Sequence, residues 1–218
     1  GDRRVGQTVL RLNVGGWVVP AMRREPPAIT PERTALLVVD MQRAFLDARG
    51  VMSLPEAVDI MPVVAGVVAR CRATGVRVVW TRMSHDGSVG GAYRELFPQH
   101  FLFDGSPKLG RNSGDYQIAP DLDPHPEDLY VDKTSYSAFR DTGLEARLRV
   151  DGCDTTVICG IATNVCCEST ARDAFALGFR VIVLSDATAS GSREAHQASL
   201  RTLGLAFGWV MSSTELFR

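Results

Sequence analysis

The sequence predicts a three-layer α/β/α sandwich with a six-stranded parallel sheet. Short apolar segments alternate with segments of helical periodicity, and this repeated alternation is typical of parallel strands connected by helices. Some apolar segments, among them 35–39 and 181–184, lack a polar residue at every second position, as expected for strands buried on both faces. No internal repeat or linker interrupts the pattern, so we expect one α/β domain.

The chain begins with a less regular part. Residues 1–33 are predicted to be an N-terminal extension or arm, and residues 34–218 the folded domain. Residues 9–14 alternate between apolar and polar side chains and could form an edge strand. The rest of the extension is expected to be an extended lead-in because prolines recur in it, at Pro20, Pro26, Pro27 and Pro31.

The first half of the domain contains two predicted strands with a helix between them. The first strand, 35–39, ends at the carboxylate of Asp40. The helix is expected to have Pro62 in its first turn and Gly75 after its last residue. It leads to the second strand at 76–81.

A long connection follows at residues 83–127, and it is rich in Gly, Pro, Ser and Asp. Its pattern predicts only a short helix around 93–97. A connection of this length in a compact domain is usually functional.

The second half of the domain is regular again. A capping-box pair, Thr142 and Glu145, predicts the start of a helix. Gly204 is expected to end a later helix. The predicted elements are strand 129–133, helix 144–150, strand 155–158, helix 171–177, strand 181–184, helix 193–203, strand 205–211 and a last helical turn at 212–217.

The composition argues against several classes of partner. The formal net charge of −1 gives no reason to expect nucleic acid or an anionic membrane as a partner. No apolar run approaches the ~20 residues of a membrane span. The five cysteines are an odd number without zinc-site spacing, so we expect no disulfide framework and place the protein in the reducing cytoplasm.

Three side chains near predicted strand ends could act together: Asp40, Lys133 and Cys166. The carboxyl ends of parallel strands form one edge of the sheet, where ligands bind. Cys166 lies where a strand turns into a helix, and the free amide groups of a helix start favour the thiolate. It could attack a carbonyl carbon, with Asp40 as the base and Lys133 holding the carboxylate and the developing charge.

Each of these residues also has a simpler interpretation. An aspartate that closes a strand often caps a helix, a lysine is usually a surface charge, and cysteines are usually inert core residues. We assign the core role to the other cysteines, Cys71, Cys153, Cys159 and Cys167. Only the fold can bring the three together, because 93 residues separate Asp40 from Lys133 and 33 separate Lys133 from Cys166.

Three segments, 37–42 (LVVDMQ), 131–133 (VDK) and 160–166 (GIATNVC), resemble the signatures of the isochorismatase-like cysteine hydrolases in order and spacing. The resemblance covers residue 34 to the C-terminus and implies a Rossmann-like sheet with an Asp40–Lys133–Cys166 triad. It also implies a cis peptide before Ala162 and an oxyanion hole made by the backbone N–H groups of Ala162 and Cys166. Members of this family commonly form dimers or tetramers, so we expect a homodimer or homotetramer.

Further segments look like the ureidoacrylate amidohydrolase subgroup, namely 114–118, 136–139, 163–170 and 207–210. The subgroup implies cleavage of a C–N bond in a small linear ureido, carbamoyl or amide substrate through an acyl-enzyme on Cys166. Cys167 stands where that subgroup usually has valine. A maleamate-, lactam- or ester-type hydrolase with the same triad and a non-enzymatic binding module remain alternatives.

The residues around the predicted site suggest how substrate is held without a cofactor. Nicotinamidases of the family carry two metal-binding histidines after the second strand, whereas this chain has His85 alone there, so we expect no metal. Arg82 is predicted to clamp a substrate carboxylate against the long connection, which also carries Lys108 and Arg111. A pairing of Arg82 with Asp86 or with a partner subunit is the alternative. The complete set of predicted substrate contacts is Gln42, Arg82, Tyr136 and Asn164.

Overall fold

The structure, a computed structural model, describes residues 9–14, 17–22, 25–50, 52–86 and 91–217. A separate hairpin comes first, in which β1 (Val9–Val14) pairs antiparallel with β2 (Trp17–Met22). The predicted strand at 9–14 is therefore confirmed. The extended lead-in is wrong for 17–22, because Pro20 lies within β2 opposite Arg11. Proline is tolerated in a two-stranded hairpin because each strand has a free edge, where no ladder N–H is needed.

The six-stranded sheet is parallel throughout, as predicted, and has the strand order β5-β4-β3-β6-β7-β8. Its strands β3 and β6, at the centre, are buried along their whole length because helices cover both faces. The strands are β3 (Thr34–Val39), β4 (Arg77–Met83), β5 (Leu129–Lys133), β6 (Thr155–Ile161), β7 (Arg180–Ala189) and β8 (Trp209–Met211).

The helices lie in two layers, and alternate residues of β3 face them. Leu36 and Val38 pack in the core with α2 and α7, whereas Leu37 and Val39 pack in the core with α4, α5 and α6. This arrangement confirms the three-layer sandwich. The helices are α1 (Arg43–Leu46), α2 (Pro55–Thr74), α3 (Gly91–Leu96), α4 (Leu144–Val150), α5 (Glu168–Ala176), α6 (Arg193–Ala206) and α7 (Ser213–Leu216).

The start of α2 differs from the prediction. Pro55 occupies the first turn, and Pro62 lies inside the helix. A proline there leaves the carbonyl four residues earlier without its helical partner. That carbonyl belongs to Val58, which is 45% exposed, so water can take the place of the missing donor. The predicted end at Gly75, with φ 84°, is confirmed.

The capping box predicted for α4 is absent. Gly143 caps this helix with φ 72°. The Thr142 hydroxyl accepts a hydrogen bond from the amide of Leu144 at 3.2 Å and donates one to the carbonyl of Ala138 at 2.6 Å. A capping box does form at the start of α7, between Ser212 and Glu215.

The end of α6 was also predicted wrongly. Gly204 lies within the helix, and only Trp209–Met211 forms the last strand. A Cβ on Gly204 would lie 3.4 Å from Val210 Cγ2, an ordinary van der Waals distance, whereas a Cβ on Gly208 would lie 2.2 Å from the carbonyl oxygen of Val181, so Gly208 is the glycine that close packing requires. No helix among the described residues is long and apolar enough to cross a membrane.

Candidate active site

The fold brings Asp40, Lys133 and Cys166 together at the carboxyl edge of the sheet. Asp40 follows β3, Lys133 is the last residue of β5, and Cys166 lies in a π-helical turn between β6 and α5. Lys133 Nζ lies 2.7 Å from Asp40 Oδ2, and both side chains are within hydrogen-bonding reach of the Cys166 thiol. We call these three residues the triad cluster.

A neighbouring strand orients the Asp40 carboxylate. Thr81, in β4, donates a hydrogen bond from its hydroxyl to Asp40 Oδ1 at 2.6 Å, and it accepts one from the Asp40 amide at 3.1 Å. Asp40 itself has a left-handed backbone with φ 52°, which turns the chain sharply out of β3. Oδ1 is therefore occupied, and Oδ2 faces Lys133 and accepts no other hydrogen bond from the described residues.

Lys133 is a buried cation. Its side chain is fully buried, and its ammonium group donates a hydrogen bond to the carbonyl of Ser135 at 3.1 Å. Burial alone would lower the pKa of Lys133, but the Asp40 carboxylate beside it, together with the interactions of Lys133 with Cys166, outweighs burial and raises the pKa above its usual value. The ammonium group is therefore charged at neutral pH.

The Cys166 thiol is protonated at rest. Burial raises its pKa to about 12, Lys133 opposes this effect, and Asp40 adds to it. The expected acidification by a helix start is therefore outweighed by burial. A thiol in this state needs a base beside it before it can attack, and Asp40 is the carboxylate within reach.

Gly160 allows the strand that leads to Cys166 to approach β3. Its φ is 104°, and a Cβ there would lie 2.1 Å from the carbonyl oxygen of Val39. No other residue fits at this position. The cis peptide implied before Ala162 is confirmed. The oxyanion hole at the amides of Ala162 and Cys166 stays a prediction.

A pocket of about 260 Å³ opens onto the triad cluster. Part of its lining, which we call the aromatic wall, consists of ring side chains: His85, Tyr93, Phe97, His100 and Tyr136. The Tyr93 hydroxyl bridges His85 Nε2 and His100 Nδ1, each at 2.8 Å. The rest of the lining is formed by Asp40, Phe45, Met52, Leu54, Met83, Ile161, Ala162, Val165 and Cys166.

The four predicted substrate contacts differ in their position relative to the pocket. Tyr136 lines the pocket, whereas Gln42, Arg82 and Asn164 do not. The Gln42 side-chain amide donates hydrogen bonds to the carbonyls of Met83 and Tyr116 and accepts one from the Met83 backbone amide. It therefore connects the turn after β3 to the end of β4 and to the segment around Tyr116. Asn164 is exposed, and its Oδ1 accepts a hydrogen bond from the Ser190 hydroxyl at 2.6 Å.

The structure does not place Arg82 at the pocket, so the carboxylate clamp predicted for it has no support among the described residues. Its guanidinium lies 2.7 Å from Asp132, the residue opposite it on β5, and packs over the rings of Tyr116 and Tyr130. The alternative partner, Asp86, instead accepts a hydrogen bond from the backbone amide of Arg111 at 2.8 Å. Lys108 and Arg111 also lie outside the lining of the pocket.

Sequence reasoning missed three residues of the site. Thr81 ends the predicted second strand beside Asp40, so its position could have been inferred once those strands were placed as neighbours. Tyr93 and His100 lie in the long connection, where no periodicity indicates which side chains face the pocket. His85, noted in the sequence as the lone histidine after the second strand, lines the pocket.

No three His, Cys, Asp or Glu side chains converge as metal ligands in the part of the chain that the structure describes. His85 and His100 have stacked rings with centroids 5.5 Å apart, and Tyr93 bridges them. Their ring nitrogens that face Tyr93 are therefore already used in hydrogen bonds.

Comparisons with known proteins agree on one family. Residues 34–215 match the Isochorismatase domain. The chain is 35% identical to the ureidoacrylate amidohydrolase RutB of Pantoea ananatis, over 94% of this chain and 90% of the relative. It is 37% identical to RutB of Methylobacterium radiotolerans, over 90% and 82%. A crystal structure of a cysteine hydrolase from Pseudomonas syringae pv. phaseolicola superposes with a TM-score of 0.82 at 33% identity, covering 90% of this chain and 97% of that one.

Proposed function

The chain belongs to the isochorismatase family, and from this membership we propose that Asp40, Lys133 and Cys166 are its catalytic triad. The protein is a cysteine-type amidohydrolase that cleaves a non-peptide C–N bond in a small ureido or amide substrate. The residue roles that follow are the part proposed here. They rest on the geometry of the triad cluster.

The reaction begins with removal of the thiol proton. Asp40 takes the proton from Cys166, and the charge of Lys133 stabilises the thiolate that forms. The sulfur then attacks the carbonyl carbon, a C–S bond forms, and the carbonyl electron pair moves to oxygen. The amides of Ala162 and Cys166 donate hydrogen bonds to this oxyanion.

The intermediate then collapses to an acyl-enzyme. Protonated Asp40 gives its proton to the leaving nitrogen, the C–N bond breaks, and ammonia or an amine departs. Asp40 next takes a proton from water, which attacks the thioester carbon. The C–S bond breaks, the thiolate recovers its proton, and the acid product leaves.

One observation carries the assignment of these roles: the buried ion pair of Asp40 and Lys133 beside a buried thiol. Two charges lose several kcal/mol of solvation each when they are buried, and their attraction often only offsets that loss. An ion pair at this position is therefore a poor stabilising device. It serves a purpose when a thiol must be deprotonated beside it, which favours an enzyme over a binding module.

A hydrolysis screen tests the function. The wild-type protein is incubated with matched carbamoyl, ureido, primary amide, lactam and ester compounds, and ammonia and acid products are quantified. We expect turnover of linear ureido or amide compounds and little turnover of lactams and esters. Turnover confined to lactams or esters would contradict the amidohydrolase assignment.

We also propose a homodimer or homotetramer located in the cytoplasm. All cysteines are free, as suits a reducing compartment. Residues 1–33 are proposed as an arm outside the 34–218 domain, since the β1–β2 hairpin does not join the main sheet. Apolar side chains beside the long connection are exposed, including Leu96 and Phe103, and suit a subunit contact. Light scattering on the full chain measures the mass of the assembly.

A further inference from the structure

The described part of the pocket lining carries no permanent positive charge. Among the described residues that line the pocket, none is lysine or arginine. The nearest ammonium group, Lys133, is already paired with Asp40 at 2.7 Å. With the Cys166 thiol protonated, the triad cluster has no net charge to offer an anion.

The two histidines of the aromatic wall are also neutral at neutral pH. Burial, followed by the charges of His100 and Lys133, lowers the pKa of His85 to about 4. Burial and the charge of Lys108 lower the pKa of His100 as well. Desolvation therefore removes the two groups that could otherwise act as cations.

Neutral histidines can nevertheless form hydrogen bonds in either direction. The Tyr93 hydroxyl has one hydrogen, so it donates to one of its two histidine partners and accepts from the other. If both histidines change tautomer, the direction of both hydrogen bonds to the Tyr93 hydroxyl reverses. His85 keeps a buried ring nitrogen, Nδ1, without a partner among the described residues. It becomes a donor or an acceptor according to the tautomer.

We propose, on the basis of the proposed function, that this pocket selects uncharged substrates over those that carry a carboxylate, and that His85, Tyr93 and His100 are the specificity-determining residues. A primary amide or urea group carries no charge and brings its own donors and acceptors, so it can enter this volume without a counter-ion. A carboxylate placed in the same volume would meet the Asp40 carboxylate and no unpaired cation among the described lining residues. Burial of an unpaired charge is far more costly than burial of a hydrogen-bonded neutral group.

The test uses two compounds that differ in one group, 3-ureidoacrylate and its primary amide, 3-ureidoacrylamide. Hydrolysis of the ureido group is followed for each by chromatography at pH 7. The amide is expected to have a kcat/KM at least about tenfold higher, equivalent to about 1.4 kcal/mol. Preference for the free acid would overturn the inference and leave the amidohydrolase assignment intact.

A variant that adds a positive charge to the aromatic wall tests whether the wall determines the substrate preference. His100→Arg places a cation at the wall and is expected to raise kcat/KM for the free acid at least about tenfold relative to the amide. Gln99→Arg adds the same charge at the exposed neighbouring position and should leave the preference unchanged. His100→Gln removes the ring without adding charge and should keep the preference for the amide. Equal changes in the preference between acid and amide in His100→Arg and Gln99→Arg would show that the aromatic wall does not determine this preference.

Binding measurements test the preference for uncharged substrates independently of catalysis. Calorimetry on Cys166→Ala measures the affinity for each compound without turnover, and the amide is expected to bind at least about tenfold more tightly. Equal or reversed affinities would overturn the inference. If the wild-type enzyme hydrolysed neither ureido compound nor any member of the screen, the proposed function would fail, and the affinities would still decide what the pocket selects.

Discussion

The triad cluster and the aromatic wall face the same pocket but are built differently. The triad cluster lies at the carboxyl ends of β3 and β5 and in the turn that follows β6, and its charged groups Asp40 and Lys133 are each at most 2% exposed. The wall comes largely from the long connection between β4 and β5, and its ionisable groups are kept neutral by burial. We infer that the strand ends determine the reaction and the connection determines the substrate.

The largest effect is expected from the nucleophile. Cys166→Ala should lower kcat by about 10⁴-fold or more, because no other group in the triad cluster can form the acyl-enzyme. Cys167→Ala is the matched control, since its thiol packs in the core with α5 and does not line the pocket. It should keep most of the activity in the same ammonia-release assay. A comparable loss in Cys167→Ala would contradict the assignment.

The next effect tests whether the triad cluster acts as a unit. Asp40→Asn should lower kcat by about 10³-fold, and Asp40→Asn combined with Cys166→Ala should lose little more than Cys166→Ala alone. Thermal unfolding of each variant is the control for folding, because Asp40→Asn leaves Lys133 buried without its counter-ion. Multiplicative losses in the double variant would show that the two residues act independently.

The wall can be tested through the pH dependence of stability. The pKa of His85 falls from 6.5 to about 4 on folding, chiefly because the ring is buried. Between these pH values the unfolded chain binds more protons than the folded protein, so stability falls as the pH falls through this window. We expect His85 to contribute a loss on the order of 2 kcal/mol between pH 7 and pH 4.

Urea unfolding of wild type and His85→Gln at both pH values measures this contribution. The variant should show a smaller loss of stability on acidification. The same loss in both proteins would mean that His85 is not held neutral by the wall.

The smallest effect is expected at Arg82. Its guanidinium is paired with Asp132 and is outside the pocket, so Arg82→Ala should change kcat/KM by less than about threefold and leave the choice between acid and amide unchanged. The same two ureido substrates provide the measurement. A selective loss of activity on the free acid would restore the carboxylate clamp.

The same contrast explains what the sequence could reveal. Apolar residues mark β3 and β6 and the first three positions of β5, and strand ends in a parallel sheet converge, so the placement of Asp40, Lys133 and Cys166 at one edge was predictable. The partners of Arg82 and Gln42 were not, because they depend on which strands and loops become neighbours.

Other differences arose where tertiary packing outweighed a local signal. The local pattern around Cys166 predicts an acidified thiol, but burial raises its pKa instead. The capping pair at Thr142 is displaced by Gly143, and α6 continues through Gly204 to Ala206, because the glycine that close packing requires is Gly208, where a Cβ would lie 2.2 Å from the carbonyl oxygen of Val181. The side chains of the wall carry no periodic pattern, so their direction follows only from the folded loop.

The central claim is that Cys166 carries the acyl group during turnover. The direct measurement is mass spectrometry of wild-type enzyme quenched in acid while it hydrolyses a ureido or amide substrate, with fragmentation to separate the adjacent residues Cys166 and Cys167. We expect one added acyl mass, located on Cys166 and absent from Asp40→Asn treated in the same way. An acyl mass on Cys167, or turnover without any covalent species on Cys166, would contradict the claim.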